Sequence, residues 1–367
     1  MEAATQGSTV LWLAFGLAFA FGAIAQQTRF CTMGAIADIV NMGDWNRMRM
    51  WLLAIGVAIL GSTGLHAAGL IDLGKSIYRT PNFTWLSYLV GGFFFGIGMV
   101  LASGCGAKAL IRTGGGSLKS LVVLVVGGIT AYITLRGVLG VFRVKVLESV
   151  ALTLPAGQDV PALLAGTGLS PDVTLWGTAI AIGGSLVVFA LSRREFLTFE
   201  NLLGGLAAGL VVVAAWYVSG HLGYLPENPE TLQEAFIATN SGRMEALSFV
   251  APQAYGLELL MLWSDSSRRL TFGIASALGV LAGSTAWALA TRSFRWEGFR
   301  DTEDTATHLI GAVLMGFGGV IAMGCTVGQG ISGLSTLALG SMLTFGAIVC
   351  GAVVALRLQY RRLMQTA

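Results

Sequence analysis

The chain has 367 residues, of which 54% are apolar and only 11% are Asp, Glu, Lys or Arg, against about 25% charged residues in an ordinary soluble domain. This shortage of charge excludes a soluble globular protein. The mean hydropathy of +0.74 and the recurring apolar runs indicate an all-α polytopic membrane protein. The net charge of +3 is too small for us to expect a nucleic acid as partner; the partner that the composition predicts is the lipid bilayer.

Nine segments are long enough to cross about 30 Å of hydrocarbon. They run over residues 9–25, 50–71, 85–104, 118–140, 173–191, 200–220, 269–290, 307–324 and 337–357. No Lys or Arg precedes the first run, so we interpret it as a retained span and not as a signal peptide. Four shorter apolar stretches predict re-entrant helices; they lie at 28–40, 106–114, 247–264 and 325–334.

Glycine is about twice as frequent as in an average protein, with 51 residues, whereas there are only 7 prolines. Excess glycine in apolar segments indicates close helix packing and helices that break within the membrane. Many of these glycines also belong to an internal repeat. A shift of 220 residues aligns Gly91 with Gly311, Gly96 with Gly316, Gly98 with Gly318, Gly104 with Gly324, and Cys105 with Cys325.

The two copies of this repeat lie on spans of opposite direction, because an odd number of crossings separates the third span from the eighth. Inverted repeats with interrupted helices are typical of transporters, whose substrate site lies at the repeat interface. We therefore predict one integral membrane domain, 1–367. Its first repeat half is 1–140, an external loop and a connecting span follow at 141–198, and the second, inverted half is 199–367. Most Lys and Arg residues fall on the cytoplasmic side if the N-terminus is outside and the C-terminus inside.

Two cysteine turns carry the repeat. Ser103 to Gly106 reads Ser-Gly-Cys-Gly, and Met323 to Thr326 reads Met-Gly-Cys-Thr. Glycine permits the turn that ends a helix, and the N–H groups that open the next short helix suit an anion. The recurrence of the thiol at equivalent positions favours a site over simple packing. The candidate site residues here are Cys105, Cys325, Gly104, Gly106, Gly324 and Thr326.

A third thiol, Cys31, follows the first span, with Arg29 two residues before it. Arg29 is either a buried charge, with Asp38 as a candidate partner, or an ordinary cytoplasmic flank. Cys350 lies mid-span without a helix break, so we expect it to pack between helices.

Polar residues near the two repeated turns complete the candidate pathway. Lys108 and Arg112 lie on one face of the short helix after Cys105, where they either attract an anion or anchor the protein. Gln329 and Thr326 offer uncharged donors in the second repeat. No Cys pair or His cluster has metal spacing, and no nucleotide motif is present. We therefore expect no metal, no cofactor and no enzymatic activity.

These motifs resemble the YeeE/YedE (sulfur transport) family of membrane proteins, and within it the members that take up thiosulfate. The resemblance covers essentially the whole chain. It rests on Arg29-Phe30-Cys31 with Gly34-Ala35, on residues 104–121 and on residues 324–335. Family members often carry an Arg before the Asp of the first motif, where this chain has Ala37 before Asp38.

The resemblance implies an hourglass-like protein of the bacterial inner membrane that passes thiosulfate inward along Cys31, Cys105 and Cys325. It also implies a small cytoplasmic TusA-like sulfurtransferase as a partner. Two alternatives stay open at this point. One is a transporter of another sulfur or selenium species, and the other is a membrane sulfurtransferase or redox carrier that uses the thiols covalently.

Overall fold

The computed structural model describes residues 2–155, 157–165, 170–228, 232–265 and 267–366. Almost all of its regular structure is helical, as the composition predicts. The α-helices are α1 (Glu2–Gln27), α2 (Thr32–Met42), α3 (Asn46–Ala67), α4 (Trp85–Leu101), α5 (Gly106–Gly114), α6 (Leu118–Arg136), α7 (Val138–Phe142), α8 (Val160–Leu164), α9 (Pro171–Ala179), α10 (Ser185–Leu191), α11 (Phe199–Tyr217), α12 (Ala251–Met261), α13 (Phe272–Ala290), α14 (Thr302–Ile321) and α15 (Leu339–Thr366).

Within these described ranges, nine helical segments are long and apolar enough to cross a membrane, which confirms the predicted number of spans. They cover Thr5–Met42, Asn46–Ala67, Trp85–Gly114, Leu118–Arg136, Pro171–Leu191, Phe199–Leu222, Phe272–Ala290, Thr302–Ile321 and Leu339–Arg362. Short π-helical turns at Ile180–Gly184 and Val218–Leu222 lie within the fifth and sixth of them.

The extended segments are few and short. β1 (Asn82–Phe83) pairs antiparallel with β2 (Leu152–Thr153), and β3 (Tyr224–Leu225) pairs antiparallel with β4 (Ala235–Phe236). Both pairs tie together loops between spans, so they organise the ends of the helices and not the core.

Several helices extend beyond the apolar runs that predict them, and α14 and α15 show why. α14 begins at Thr302 and not at 307, because the Asp301 side chain caps the Asp304 amide at 2.7 Å and acidic residues suit a helix N-terminus. α15 continues through its basic end to Thr366 because no proline or glycine stops it after Gly351. Charged residues mark the limit of a membrane span but not the limit of a helix.

The four predicted short helices correspond to α2, α5, α12 and a segment of π and 3-10 turns at Gly328–Gly333 and Leu334–Thr336. Each follows a longer helix or a loop and is itself too short to cross a membrane. Their depth in the bilayer and the hourglass layout remain predictions.

Helices α4 and α14 cross at glycines that the repeat aligns. A Cβ atom at Gly91 would lie 2.8 Å from the Gly318 carbonyl oxygen, and one at Gly311 would lie 2.7 Å from the Gly98 carbonyl oxygen. The two contacts are equivalent under the repeat, because Gly91 aligns with Gly311 and Gly98 with Gly318. This crossing thus brings the two repeated segments into contact around a local twofold relation. The predicted limits of the two halves remain predictions.

Candidate functional site

The three cysteines Cys31, Cys105 and Cys325 follow three turns of the same backbone form. Two residues before each cysteine, a residue other than glycine takes a left-handed conformation. These residues are Arg29, with φ 54°, Ser103, with φ 58°, and Met323, with φ 56°. Left-handed backbone is unfavourable for residues with a Cβ atom. Its presence at three places therefore shows that the surrounding helices fix the turn.

Hydrogen bonds of equal span close the three turns. The amide of Gly104 donates to the Met99 carbonyl at 2.8 Å, and the amide of Gly324 donates to the Gly319 carbonyl at 2.8 Å. The amide of Phe30 makes the equivalent bond to the Ala25 carbonyl at 3.1 Å. This six-residue closure is the usual way for a helix to end on a left-handed residue. It leaves the next residue, the cysteine, free to begin a new helical segment.

Each cysteine thus stands at the N-terminal cap of a short helical segment. The Cys31 Sγ accepts a hydrogen bond from the Gly34 amide at 3.4 Å, and the Cys325 Sγ accepts one from the Gly328 amide at 3.4 Å. The Cys105 sulfur lies near the Lys108 amide in the same position without completing a cap. All three sulfurs therefore lie beside the backbone N–H groups that begin a helix, which is a favourable place for negative charge.

The three thiols are buried and close enough to interact. Their residues are 7%, 2% and 0% exposed for Cys31, Cys105 and Cys325, respectively. The Cys105 thiol lies within electrostatic range of both of the others. Thr326 lies beside the Cys105 thiol, and its buried hydroxyl has no well-formed hydrogen bond within the described ranges. The structure thus brings Cys105 of the first repeat together with Thr326 of the second.

The glycines of the site allow a close approach of backbone. Gly104 has a φ of 159°, and a Cβ atom there would lie 3.1 Å from the side chain of Lys108. A Cβ atom at Gly106 would lie 3.2 Å from the Gln253 side-chain nitrogen, and one at Gly324 would lie 3.1 Å from the side chain of Gln329. Side chains larger than hydrogen at these positions would push on the groups that surround the thiols.

Gln329 closes the second turn from within. Its side-chain nitrogen donates to the Ala322 carbonyl, and its side-chain oxygen is buried without a partner in the described structure. The open atom is an acceptor oxygen, so it does not itself offer a hydrogen bond to an anion.

The prediction that Cys350 packs between helices is wrong, because the structure exposes its thiol on the outside of α15. The sequence around it is apolar on every side, so periodicity could not distinguish the packed face of α15 from the outer face.

Basic side chains surround the region beside Cys31 and Cys105. Lys108 is half-buried and interacts electrostatically with both thiols and with Arg47 and Arg112. The Arg112 side chain donates to the Ser103 carbonyl at 3.2 Å, which connects it to the Cys105 turn. In the described part of the chain no carboxylate pairs with Lys108. The arrangement places basic side chains next to two thiols, and Lys108 among them has no carboxylate partner in the described ranges.

Of the two interpretations of Arg29, the structure does not support a buried charge paired with Asp38. Arg29 is exposed, and the buried Asp38 pairs instead with Arg47 at 3.1 Å. A left-handed turn at Gly43, with φ 70°, returns the start of α3 onto α2 and sets this pair. In the sequence, Arg47 is one of many basic residues assigned to the cytoplasmic side, and nothing in its immediate neighbours marks it as the partner of Asp38. The Gly43 turn, four residues before it, was the available signal.

A cavity of about 200 Å³ lies beside the Cys325 turn. It extends from loop residues, among them Asn240, Ser241 and Glu245, to Met323 and Gly324 of the Cys325 turn. Arg143 also lines it and pairs with Glu148 at 3.5 Å. No sequence pattern indicates this cavity, because its lining residues come from five distant parts of the chain.

The carboxylate that lines this cavity belongs to Glu245, and burial shifts its pKa. The Glu245 side chain accepts hydrogen bonds from the amides of Asn240 at 3.2 Å and Ser241 at 2.9 Å. Burial nevertheless raises the pKa of Glu245 above its ordinary value. An anion that enters here therefore meets a carboxylate whose charge is already disfavoured, together with the Arg143 guanidinium.

No group of three His, Cys, Asp or Glu side chains that could hold a metal occurs in the described ranges. The three thiols lie at helix starts, separated by backbone turns. The donor set therefore offers thiols and amide N–H groups to an anion.

Three comparisons with known proteins bear on this site. A family model described as sulphur transport matches residues 27–354. The thiosulfate transporter TsuA of Escherichia coli K12 is 28% identical over 325 residues, which cover 84% of this chain and 83% of that protein. The thiosulfate transporter TsuA of Spirochaeta thermophila is 25% identical over 353 residues, which cover 91% of this chain and 94% of that protein. The matched region contains all three cysteine turns.

Proposed function

We propose that this chain, which belongs to the sulphur transport family, carries thiosulfate across the bacterial inner membrane. The observation that supports this most is the set of three buried thiols at three turns of one backbone form. Both similar proteins are named thiosulfate transporters, which supports the choice of substrate. Those names also fit a protein that moves its substrate without converting it, so we propose no enzymatic activity.

The chemistry of thiosulfate suits such a pathway. The ion is a dianion with one soft terminal sulfur, and a pathway must replace its hydration without trapping it. A neutral thiol is a weak S–H donor, so it offers a shallow contact to that sulfur. The amide N–H groups at the three helix starts share the negative charge. Several shallow contacts in series allow the ion to enter and to leave.

The order in which the ion meets the three thiols follows from the groups that lie next to each thiol. The ion enters through the cavity beside Cys325, moves to Cys105 at the centre and then reaches Cys31. Lys108 and Arg47 attract it at the far end. With the N-terminus outside and the C-terminus in the cytoplasm, this order is inward.

The remaining predicted residues have supporting roles. Gly104, Gly106 and Gly324 keep the backbone close to the thiols, Thr326 offers an uncharged hydroxyl contact, and Gln329 closes the Cys325 turn. Arg29 lies on the exposed side of the Cys31 turn, where it helps the ion to leave. A TusA-like sulfurtransferase in the cytoplasm would receive the ion. Passage of the ion through the membrane needs no covalent step.

Uptake by purified protein in liposomes tests this function. We expect radiolabelled thiosulfate to accumulate in vesicles with the protein at least about tenfold faster than in empty vesicles. Unlabelled thiosulfate should compete fully, and sulfate, which lacks the soft sulfur, should compete weakly. Full competition by sulfate or selenite would instead indicate a different substrate and would contradict the proposal.

A further inference from the structure

A groove of about 800 Å³ lies between the C-terminal turn of α2 and the end of α15. It is remote from the cavity beside Cys325 and shares no lining residue with it. Its lining residues are Ile39, Val40, Asn41, Val353, Leu356, Arg357, Gln359, Tyr360 and Arg361.

The groove has an apolar part and a basic part. Ile39, Val40 and Val353 are partly buried against the protein core and form the apolar part. Arg357 and Arg361 lie four residues apart on α15, on one face of the helix, and both are exposed. Tyr360, with 59% of its surface exposed, stands beside them. Along α15, the apolar part of the groove comes first and the basic part lies nearer the C-terminal end of the helix.

The charge of this groove is not balanced by the protein. None of the lining residues is acidic. In the described part of the chain neither Arg357 nor Arg361 forms an ion pair. The nearby Asp38, on α2, is already paired with Arg47. Two guanidinium groups without a carboxylate partner are suited to a phosphate group, which they can bind with paired N–H donors.

We propose that this groove binds one anionic phospholipid. The phosphate group lies between Arg357 and Arg361, and Tyr360 contacts the headgroup region, where tyrosine is common in membrane proteins. The first part of an acyl chain packs on Val353, Ile39 and Val40. A soluble partner is disfavoured because the apolar part belongs to a helix that spans the membrane, where lipid and not water is the surrounding solvent.

The position of the groove gives the lipid a structural effect. α2 carries Cys31 at its N-terminal end and Ile39 to Asn41 at its C-terminal end. A lipid wedged between α2 and α15 therefore stabilises the short helix that begins at Cys31. The lipid site itself does not depend on the proposed transport function, since it rests on the groove alone.

Lipid binding to the purified, delipidated protein in detergent tests this proposal. Native mass spectrometry and the thermal unfolding midpoint are measured with phosphatidylglycerol and with phosphatidylcholine at equal concentrations. We expect retention of phosphatidylglycerol in preference to phosphatidylcholine, with a higher midpoint. The double variant R357Q/R361Q should lose affinity for phosphatidylglycerol by about thirtyfold, since each basic residue near an anionic headgroup contributes roughly fivefold.

A matched control removes the same number of positive charges at another place on the protein. Arg193 and Arg194 lie in the connection after α10, on the same side of the membrane as the end of α15 but outside the groove. The variant R193Q/R194Q should bind phosphatidylglycerol as the wild type does. A second variant, Leu356→Trp, fills the groove while keeping both arginines, and it should also lose the lipid.

Three outcomes would overturn the proposal. One is unchanged phosphatidylglycerol binding by R357Q/R361Q or by Leu356→Trp. Another is an equal loss in R193Q/R194Q, which would show attraction by surface charge in general. The third is an equal rise in the midpoint with inorganic phosphate, which would show an anion site without a lipid chain.

Discussion

Ser103 and Met323 adopt the same left-handed backbone conformation, with φ values of 58° and 56°, each two residues before a buried cysteine. The two residues are 220 positions apart, the shift that defines the internal repeat. Neither is a glycine, so both turns are strained in a way that the flanking helices must compensate. The repeat therefore preserves a conformation and not only a residue pattern.

We expect Ser103→Gly to raise the free energy of unfolding by about 1 kcal/mol, because glycine adopts the left-handed conformation without a Cβ clash. The thermal midpoint in detergent measures the change. Ser185→Gly is the control, since Ser185 has an ordinary helical φ of −60°. That variant should be less stable than the wild type. A loss of stability in Ser103→Gly as large as in the control would show that the turn is not strained.

The crossing of α4 and α14 predicts a strong effect of one methyl group. A Cβ atom at Gly311 would lie 2.5 Å from the Ala102 backbone nitrogen, so Gly311→Ala must separate the two helices. We expect a loss of about 1–3 kcal/mol, the usual cost of overpacking. Gly346→Ala on α15 is the control, because a Cβ atom there has no neighbour within 4 Å. Equal stability of the two variants would contradict the close crossing.

Arg79 and Asp159 form a buried ion pair outside the spans, at 3.4 Å, with side chains only 7% and 10% exposed. The Arg79 Nε also donates to the Thr336 carbonyl at 2.8 Å, so the pair fastens a loop to the segment that follows Cys325. We expect Asp159→Asn to cost about 3 kcal/mol, because it leaves a buried guanidinium without a counter-charge.

A double variant separates this cause from general damage. Arg79→Met combined with Asp159→Asn removes the buried charge as well, so it should recover a large part of the stability that Asp159→Asn loses. Thermal unfolding of the wild type, the two single variants and the double variant gives the coupling energy between Arg79 and Asp159. Additive losses in the double variant would mean that the pair is not the cause.

Glu297 holds the end of α5 from the loop between α13 and α14. It pairs with Lys119 at 2.7 Å and with Arg112 at 3.5 Å, and Ser117 forms a β-bridge with it. The hydrogen bond from Lys119 lowers the pKa of Glu297 below its ordinary value of 4.5. Its contribution to stability is therefore present above pH 4.5 and is lost as the pH falls through the lowered pKa of the folded state.

Glu297→Gln should accordingly lower the free energy of unfolding at pH 7, and with it the thermal midpoint. The loss should be less than about 1 kcal/mol because the carboxylate is half exposed. The difference from the wild type should shrink when the pH falls below about 4.5 and should be unaffected between pH 6 and 8. Midpoints measured across this range decide the matter. A difference that grows in acid would have the wrong sign for a carboxylate with a lowered pKa.

Sequence reasoning predicted the spans and the presence of the cysteine turns for a physical reason, although the left-handed residues of the two repeated turns are Ser103 and Met323 and not the glycines. A membrane helix must satisfy its own backbone and present apolar side chains, so runs of residues such as those in α6 and α13 reveal it directly. Glycine and cysteine at a fixed shift, as in Gly104 and Gly324, likewise mark equivalent turns. Both signals are local in the chain.

The features that sequence reasoning missed depend on contacts between distant parts of the chain. Asp38 pairs with Arg47 because the Gly43 turn folds α3 back, and hydropathy does not report the geometry of a turn. The cavity beside Cys325 combines Arg143 with Glu245, which lie on different loops. The exposed position of Cys350 was missed because apolar residues surround it on all faces of α15.

The central claim is that thiosulfate passes three buried thiols in series, and single substitutions of each cysteine test it most directly. Radiolabelled thiosulfate uptake is measured in liposomes with Cys31→Ala, Cys105→Ala or Cys325→Ala, with Cys350→Ala as the matched control. We predict that each of the first three variants loses at least about 90% of uptake, since an alanine removes the S–H donor from the pathway. Cys350→Ala should transport as the wild type does. Uptake at the wild-type rate by all three variants would contradict the account.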